Sequence, residues 1–420
     1  MPSSLNIALV TMADLATDTA GTDVHTIHVL ELARTLGRQG HRVTVYARRT
    51  AEDARPRIRL GAGATLEQLP AGPARPLDEA RTLPHVKAFT EELSRRLAQP
   101  RQRPDLVHAH GWLGGLAAYA AVQDTDIPLV QSFHGLGVVE SRRPGGRRTV
   151  HPARVRIERA LGRGVTQVLA GCDNEADELV RMGVARPRIT VVPYGVDGER
   201  FRQTGPAMPR GRRPRLVMVC GDLENGGVAT AIRALVHVPD AELVVAGGPA
   251  REELENDPVV HRLRTLAKEL DVADRALFLG RLPRKDVPKL LRTARLALCL
   301  APHQPSGMTP LEAMACGVPV VTVPSGASAD SVLDHVTGLH VPAGQPVALG
   351  RALRRLLAEE TTLSAWAIAA ADRAHSRYGW ERIAAETARA YARLLPEPEP
   401  EPAALAEARR EEEEPVGAGV

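Results

Sequence analysis

Asn6-Ile7-Ala8-Leu9-Val10-Thr11-Met12 is a short, continuous apolar run near the start of the chain. A run without polar alternation suits a strand buried on both faces, the environment of a parallel sheet. A polar loop containing Gly21 follows. Val29, Leu32, Ala33 and Leu36 then fall on one face of a helix. Gly40 stands where a C-terminal cap belongs, and Val43-Thr44-Val45-Tyr46-Ala47 reads as the next strand. Strand, helix and strand in that order imply a parallel pair.

The unit recurs. Leu106–His110, Pro128–Phe133, Gln167–Ala170 and Ile189–Val192 read as further strands. The stretch 203–215 is rich in Pro, Gly and Arg and has the composition of a linker. Beyond it Leu216–Val219, Leu243–Ala246, Leu277–Leu279, Leu296–Leu300 and Val318–Val323 form a second series. Helices are expected between them, at Val347–Glu359, and along an Ala-rich stretch from Thr362 to Leu395. The fold class is therefore α/β: two doubly wound domains facing a cleft. Ligands of such sheets sit beyond the C-terminal strand ends.

Length and composition agree. The 420 residues suit two or three domains. Hydrophobic residues at 44% and charged residues at 25% are ordinary for globular chains. The formal charge is +4, but residues 396–420 hold eight Glu against two Arg, so the body carries +10. That tail reads as disordered and acidic. Lys occurs only at Lys87, Lys268, Lys285 and Lys289, so the basic residues are nearly all Arg. Together with the Ala and Pro content this points to a GC-rich, bacterial genome and not to nucleic-acid binding. Aromatics at 3% leave little for base stacking. Cys172, Cys220, Cys299 and Cys316 are scattered without a CxxC pair, so neither a disulfide framework nor a zinc site is implied. No signal peptide is evident, and the longest apolar stretch falls far short of the ~20 residues of a membrane span. A cytoplasmic protein is expected.

Five stretches carry a family resemblance: His28–Ala33, Val107–His110, Val191-Val192-Pro193-Tyr194-Gly195-Val196-Asp197, Val244–Gly248, and Pro310-Leu311-Glu312-Ala313-Met314-Ala315-Cys316-Gly317-Val318-Pro319-Val320-Val321. Their order and spacing resemble the retaining GT-B glycosyltransferases of family 4, over about Asn6–Leu395. The resemblance implies two Rossmann-like domains. Residues 1–202 would form the acceptor-side domain, 203–215 the linker and 216–375 the nucleotide-sugar domain. Residues 376–395 would be a helix returning to the first domain. It also implies a nucleoside diphosphate sugar as donor, a hydroxyl acceptor and no cofactor.

The site residues follow. Pro310 marks a helix start whose free N–H groups favour anions. Gly307, Met308 and Thr309 would present those amides to the donor sugar. Glu312, one turn in, matches the family residue that holds the ribose; the plainer reading is a carboxylate serving the helix dipole. A family Glu eight positions earlier is Gln304 here, which hydrogen-bonds without charge. The family's diphosphate clamp, an Arg and a Lys after the first strand of the second domain, aligns with Asp222 and Gly226. Losing charge-assisted bonds costs about 1.5–3 kcal/mol each, and Asp222 would add repulsion. On that alignment, Asp222→Arg with Gly226→Lys should restore the clamp. Arg281 or Arg284 could replace it, and a metal between Asp222 and the diphosphate is a further route. In the first domain the family's glycine pair is reduced to Gly21, ahead of His25 and His28.

His110 and His134 end two strands and can face the cleft, with His110 matching a family position at the reaction centre. A lone buried His is otherwise more often structural. Tyr194 follows a strand and should shape the cleft entrance. The arginines between Arg142 and Arg163 could hold a phosphorylated or carboxylated acceptor, although a solvated basic loop explains them equally simply. Two functions compete. One is transfer of a hexosyl-type unit to a hydroxyl with retention. The other is a catalytically impaired, glycosyltransferase-like partner, perhaps of an active relative. A sugar-phosphate epimerase of the same two-domain plan is a weaker third.

Overall fold

The computed structural model describes residues 4–15, 24–142, 150–303 and 307–395. Gly21, Gln304 and the tail 396–420 lie outside the described residues, as do Arg143, Arg147 and Arg148 of the basic loop.

The first domain contributes β1 (Asn6–Thr11), β2 (Arg42–Arg48), β3 (Arg57–Gly61), β4 (Ala64–Leu69), β5 (Leu106–His110), β6 (Leu129–Ser132), β7 (Gln167–Ala170) and β8 (Ile189–Val191). They form one eight-stranded sheet, ordered β3-β4-β2-β1-β5-β6-β7-β8. Only β3 runs antiparallel to its neighbour. The second domain holds β9 (Arg215–Val219), β10 (Glu242–Ala246), β11 (Ala276–Gly280), β12 (Leu296–Cys299), β13 (Val320–Thr322) and β14 (Gly338–His340). Their order is β11-β10-β9-β12-β13-β14, parallel throughout. β5, β6 and β7 are buried along their whole length, because helices cover both sheet faces.

Each sheet reverses its winding direction once, between β1 and β5 in the first and between β9 and β12 in the second. Helices leaving opposite faces open a crevice at those points. The carboxyl ends there are Thr11 and His110 in one sheet, Val219 and Cys299 in the other.

The Ala-rich C-terminal stretch is two helices divided at Gly379, where the resemblance implied a returning helix from residue 376. Glu360–Tyr378 packs into the second domain through Leu363, Trp366, Ala370 and Ala374. Trp380–Ala392 packs into the first, where Trp380, Ile383, Ala384 and Tyr391 join the core beneath β1 and β2. The break is Gly379, in extended conformation (φ −62°, ψ 140°). The chain crosses there beside its outward crossing: Val196 N–H donates to Tyr378 O at 2.7 Å. Gly195 is required by this approach, since a Cβ would sit 2.5 Å from the Trp380 ring. No helix of the described residues is long and apolar enough to cross a membrane.

Tyr391 carries a polar tip into the first core, where its hydroxyl bonds His108 Nδ1 at 2.6 Å. Tyr391→Phe keeps the ring and orphans a buried acceptor. The urea midpoint should fall by the equivalent of about 1–3 kcal/mol; an unchanged midpoint would show that the bond contributes nothing.

Candidate active site

At the end of β5 the first domain gathers His25, His28, His108, His110 and His134. Centroid separations are 4.0 Å for His108–His110, 4.4 Å for His25–His134 and 5.0 Å for His28–His134. Burial pushes His28 and His108 down to about 3. It also holds His110 and His134 well below the ordinary range, with the neighbouring imidazoles adding to the effect. All four are neutral at neutral pH.

The hydrogen bonds fix one tautomer. Ser132 Oγ donates its proton to Leu169 O at 3.1 Å, so at 2.9 Å it accepts from His108 Nε2–H. His108 Nδ1 then accepts from Tyr391. A second chain runs from His110 Nδ1 to His134 Nε2 (2.9 Å) and from His134 Nδ1 to the Tyr194 hydroxyl (2.6 Å). His134 reaches this position only through a left-handed backbone, φ 60°. The far nitrogen of His110, Nε2, is buried without a partner among the described residues. It offers a lone pair when Nδ1 carries the ring proton and an N–H when it does not. Tyr194, expected at the cleft entrance, is instead buried as the end of this chain. His28, His110 and His134 each bring a ring nitrogen within 4.8 Å of the others, a spacing from which a metal could be gathered. His110 Nδ1 and His134 Nε2 are already engaged with each other.

The second domain has two adjoining cavities at its own winding reversal. One, of about 210 Å³, lies between the ends of β9 and β12 and includes Cys220, Asp222, Gly226 and Thr309. The other, of about 190 Å³, includes Gly248, Arg281, Arg284, Met308, Thr309 and Glu312. Val24 and Ile27, at the start of the first domain's opening helix, close its far side. Gly307 caps the helix Met308–Ala315 with φ 60°. Glu312 is 4% exposed. Its Oε1 forms an ion pair with Arg284 Nη2, whose guanidinium lies 5.0 Å from the centre of the Phe201 ring. Burial raises the Glu312 carboxyl, and Arg284 opposes the rise. Arg281 anchors only Nε, on Gly248 O at 3.3 Å. Its remaining N–H groups have no partner among the described residues.

Asp222 does not stand in the cavity as a bare charge. Its Oδ1 accepts from Glu224 N and Asn225 N, both at 3.0 Å, and its Oδ2 from Asn225 Nδ2 at 2.8 Å. The carboxylate folds its own loop. Gly226 is equally constrained, since a Cβ would lie 2.5 Å from Asp222 O. The expectation that Asp222→Arg with Gly226→Lys restores a clamp is therefore corrected. The first change removes the loop's cap and the second collides with its backbone. Arg281 and Arg284 stand instead at the second cavity.

Sequence reasoning missed the His108–Tyr391 pair, whose members lie 283 positions apart. It also missed the committed state of Arg154. Arg154 bonds Glu158 Oε1 at 2.7 Å, Glu79 Oε2 at 3.2 Å, Glu140 Oε2 and Oε1 at 3.2 and 3.4 Å, and Gly135 O at 3.0 Å. Arg142 is likewise paired, with Glu178 at 2.8 Å.

Residues 25–200 match the model described as Glycosyltransferase Family 4, and residues 209–373 match that of Glycosyl transferases group 1. The chain belongs to glycosyltransferase family 4. This family-4 enzyme is 31% identical over 388 residues to the D-inositol 3-phosphate glycosyltransferase of Xylanimonas cellulosilytica, covering 87% of this chain and 90% of the relative. Its identity to the protein of the same name from Acidothermus cellulolyticus is 32% over 356 residues, 79% and 77% of the two chains. Among solved structures, the sucrose-phosphate synthase of Thermosynechococcus elongatus superposes with TM-score 0.81 at 23% identity, over 92% of this chain and 98% of the other. Anabaena HepE in complex with UDP and glucose gives 0.67 at 18%, over 92% and 99%. These likenesses show a GT-B fold. The family-4 enzyme is a glycosyltransferase, and the comparisons lend no support to the rival reading as a non-catalytic partner.

Two outcomes follow. Folded His108 resists protonation down to about 3, whereas unfolded His takes up a proton near 6.5. Acid therefore favours the unfolded state across that window. Between pH 6.5 and 4, the stability advantage of wild type over His108→Gln should shrink by up to about 1.4 kcal/mol per pH unit. A constant difference would mean that His108 titrates alike in both states. Gly226→Lys alone should lower the melting temperature and weaken nucleoside diphosphate binding in calorimetry. Tighter binding would contradict the loop geometry.

Proposed function

We propose that this glycosyltransferase moves a hexosyl-type unit from a nucleoside diphosphate sugar to a hydroxyl of a ring polyol, with retention of configuration. The observation that carries the reading is the convergence of Arg281, Arg284, Glu312 and the start of the Met308–Ala315 helix on one cavity at the winding reversal of the second sheet. Such a helix start and two guanidinium groups suit a diphosphate. Glu312 accepts from the ribose hydroxyls. On donor entry its ion pair with Arg284 opens, which frees the guanidinium for phosphate oxygens. Gln304 and the amides of Gly307, Met308 and Thr309 hold the sugar, by resemblance to the family. Asp222 and Gly226 shape the neighbouring wall.

His110 is the group of the first domain that meets the reacting atoms. Neutral and held by His134 and Tyr194, it offers Nε2 to a substrate hydroxyl without bringing in positive charge. No side chain of the described site is placed as a nucleophile. The departing phosphate oxygen accepts the proton of the incoming hydroxyl as the sugar–phosphate bond breaks, so the new bond forms on the same face. Support for the donor class comes from the solved UDP complex of HepE and from the starch synthase IV structure bound to ADP and acarbose. The names of the sequence relatives support a polyol acceptor.

The test is turnover with UDP-, GDP- and ADP-linked glucose, mannose and N-acetylglucosamine and polyol acceptors, following nucleotide release and the anomeric proton of the product by NMR. One donor should be consumed and an α-linked donor should give an α-linked product. An inverted product, or no release from any donor, would contradict the proposal.

A further inference from the structure

The acceptor side of the cleft contains a cavity of about 230 Å³, bordered by His25, Glu79, His110, Trp112, Glu140 and Arg154. Among the described residues Arg154 is the one positively charged guanidinium or ammonium group on its wall. A guanidinium has five N–H donors. Those of Arg154 are all engaged: Nε with Glu158, Nη1 with Glu79 and Glu140, Nη2 with Glu140 and Gly135 O. Its side chain is 8% exposed and that of Glu158 is fully buried. Glu79 and Glu140 are different, at 51% and 31% exposure. One saturated cation thus faces three carboxylates, two of them open to a ligand. A phosphorylated acceptor would find no free donor on Arg154 and net negative charge around it.

A second observation points to a ligand in the same place. Among the described residues His110 Nε2 and Trp112 Nε1 have no partner, although their residues are only 0% and 2% exposed. Buried polar atoms in native proteins are nearly always paired. Both side chains border this cavity, and a polyhydroxylated ring would supply what they lack.

We infer that the acceptor is an amine-bearing ring polyol. Its ammonium lies between Glu79 and Glu140, and its hydroxyls meet His110 and Trp112. This inference rests on the proposed transferase reading and specifies its acceptor. It separates this enzyme from relatives whose names specify an inositol phosphate. A charge-assisted bond to either carboxylate supplies the selectivity.

The test uses three probes that share one ring: scyllo-inosamine, myo-inositol and myo-inositol 1-phosphate. Each is titrated calorimetrically into the full-length protein, alone and with UDP, GDP or ADP present. The inosamine should bind about tenfold or more tighter than the phosphate. Glu79→Gln with Glu140→Gln should erase that preference while nucleotide binding by the folded variant stays near wild type. Equal or tighter binding of inositol phosphate would overturn the inference. So would failure of all three probes in a protein that binds a nucleotide. Inosamine binding with no nucleotide bound would uphold the amine site and count against the transferase reading instead.

Discussion

Imidazoles packed together away from water must stay neutral, and each ring nitrogen must then find a partner or serve a ligand. That constraint organises the first domain. The partners come from distant chain segments: Ser132 ends β6, Tyr194 stands where the chain leaves the domain, and Tyr391 stands on the helix that returns to it. The returning helix is thus more than a cover for apolar residues. Its tyrosine donates to the free Nδ1 of His108, whose ring centre lies 4.0 Å from that of His110. Both passages between the domains end in residues that hold this cluster.

The second domain answers with the opposite electrostatics. Its winding reversal gathers a helix start, Arg281 and Arg284 around a buried carboxylate. In the unliganded protein Glu312 and Arg284 neutralise each other, which explains how both occupy a largely buried position. A diphosphate entering there would replace one anion by another at Arg284. Asp222, which looks repulsive in the sequence, is spent on the fold of its own loop.

Much of this was legible in the residues. Unbroken apolar runs marked the parallel strands, because burial on both faces leaves no alternation. Gly307 and Pro310 marked a helix start, and His110 was visible as a strand end. What stayed hidden depends on contacts between remote positions. Nothing local to Tyr391 says that it meets His108, and of the three glutamates that consume Arg154 only Glu158, four positions on, is local. In the Ala-rich C-terminal stretch Gly379 alone interrupts good helix formers, so composition did not mark the exact point of the break. Asp222 misled because a charge in sequence shows its sign and not its hydrogen bonds.

We propose a donor site that works without the family's usual basic pair. The direct measurement is calorimetric titration of UDP, GDP and ADP into wild type and Arg284→Ala, with and without Mg²⁺. Micromolar binding of one nucleotide by wild type, weakened at least tenfold in Arg284→Ala, is the predicted result. No binding up to millimolar nucleotide by the folded protein would contradict it.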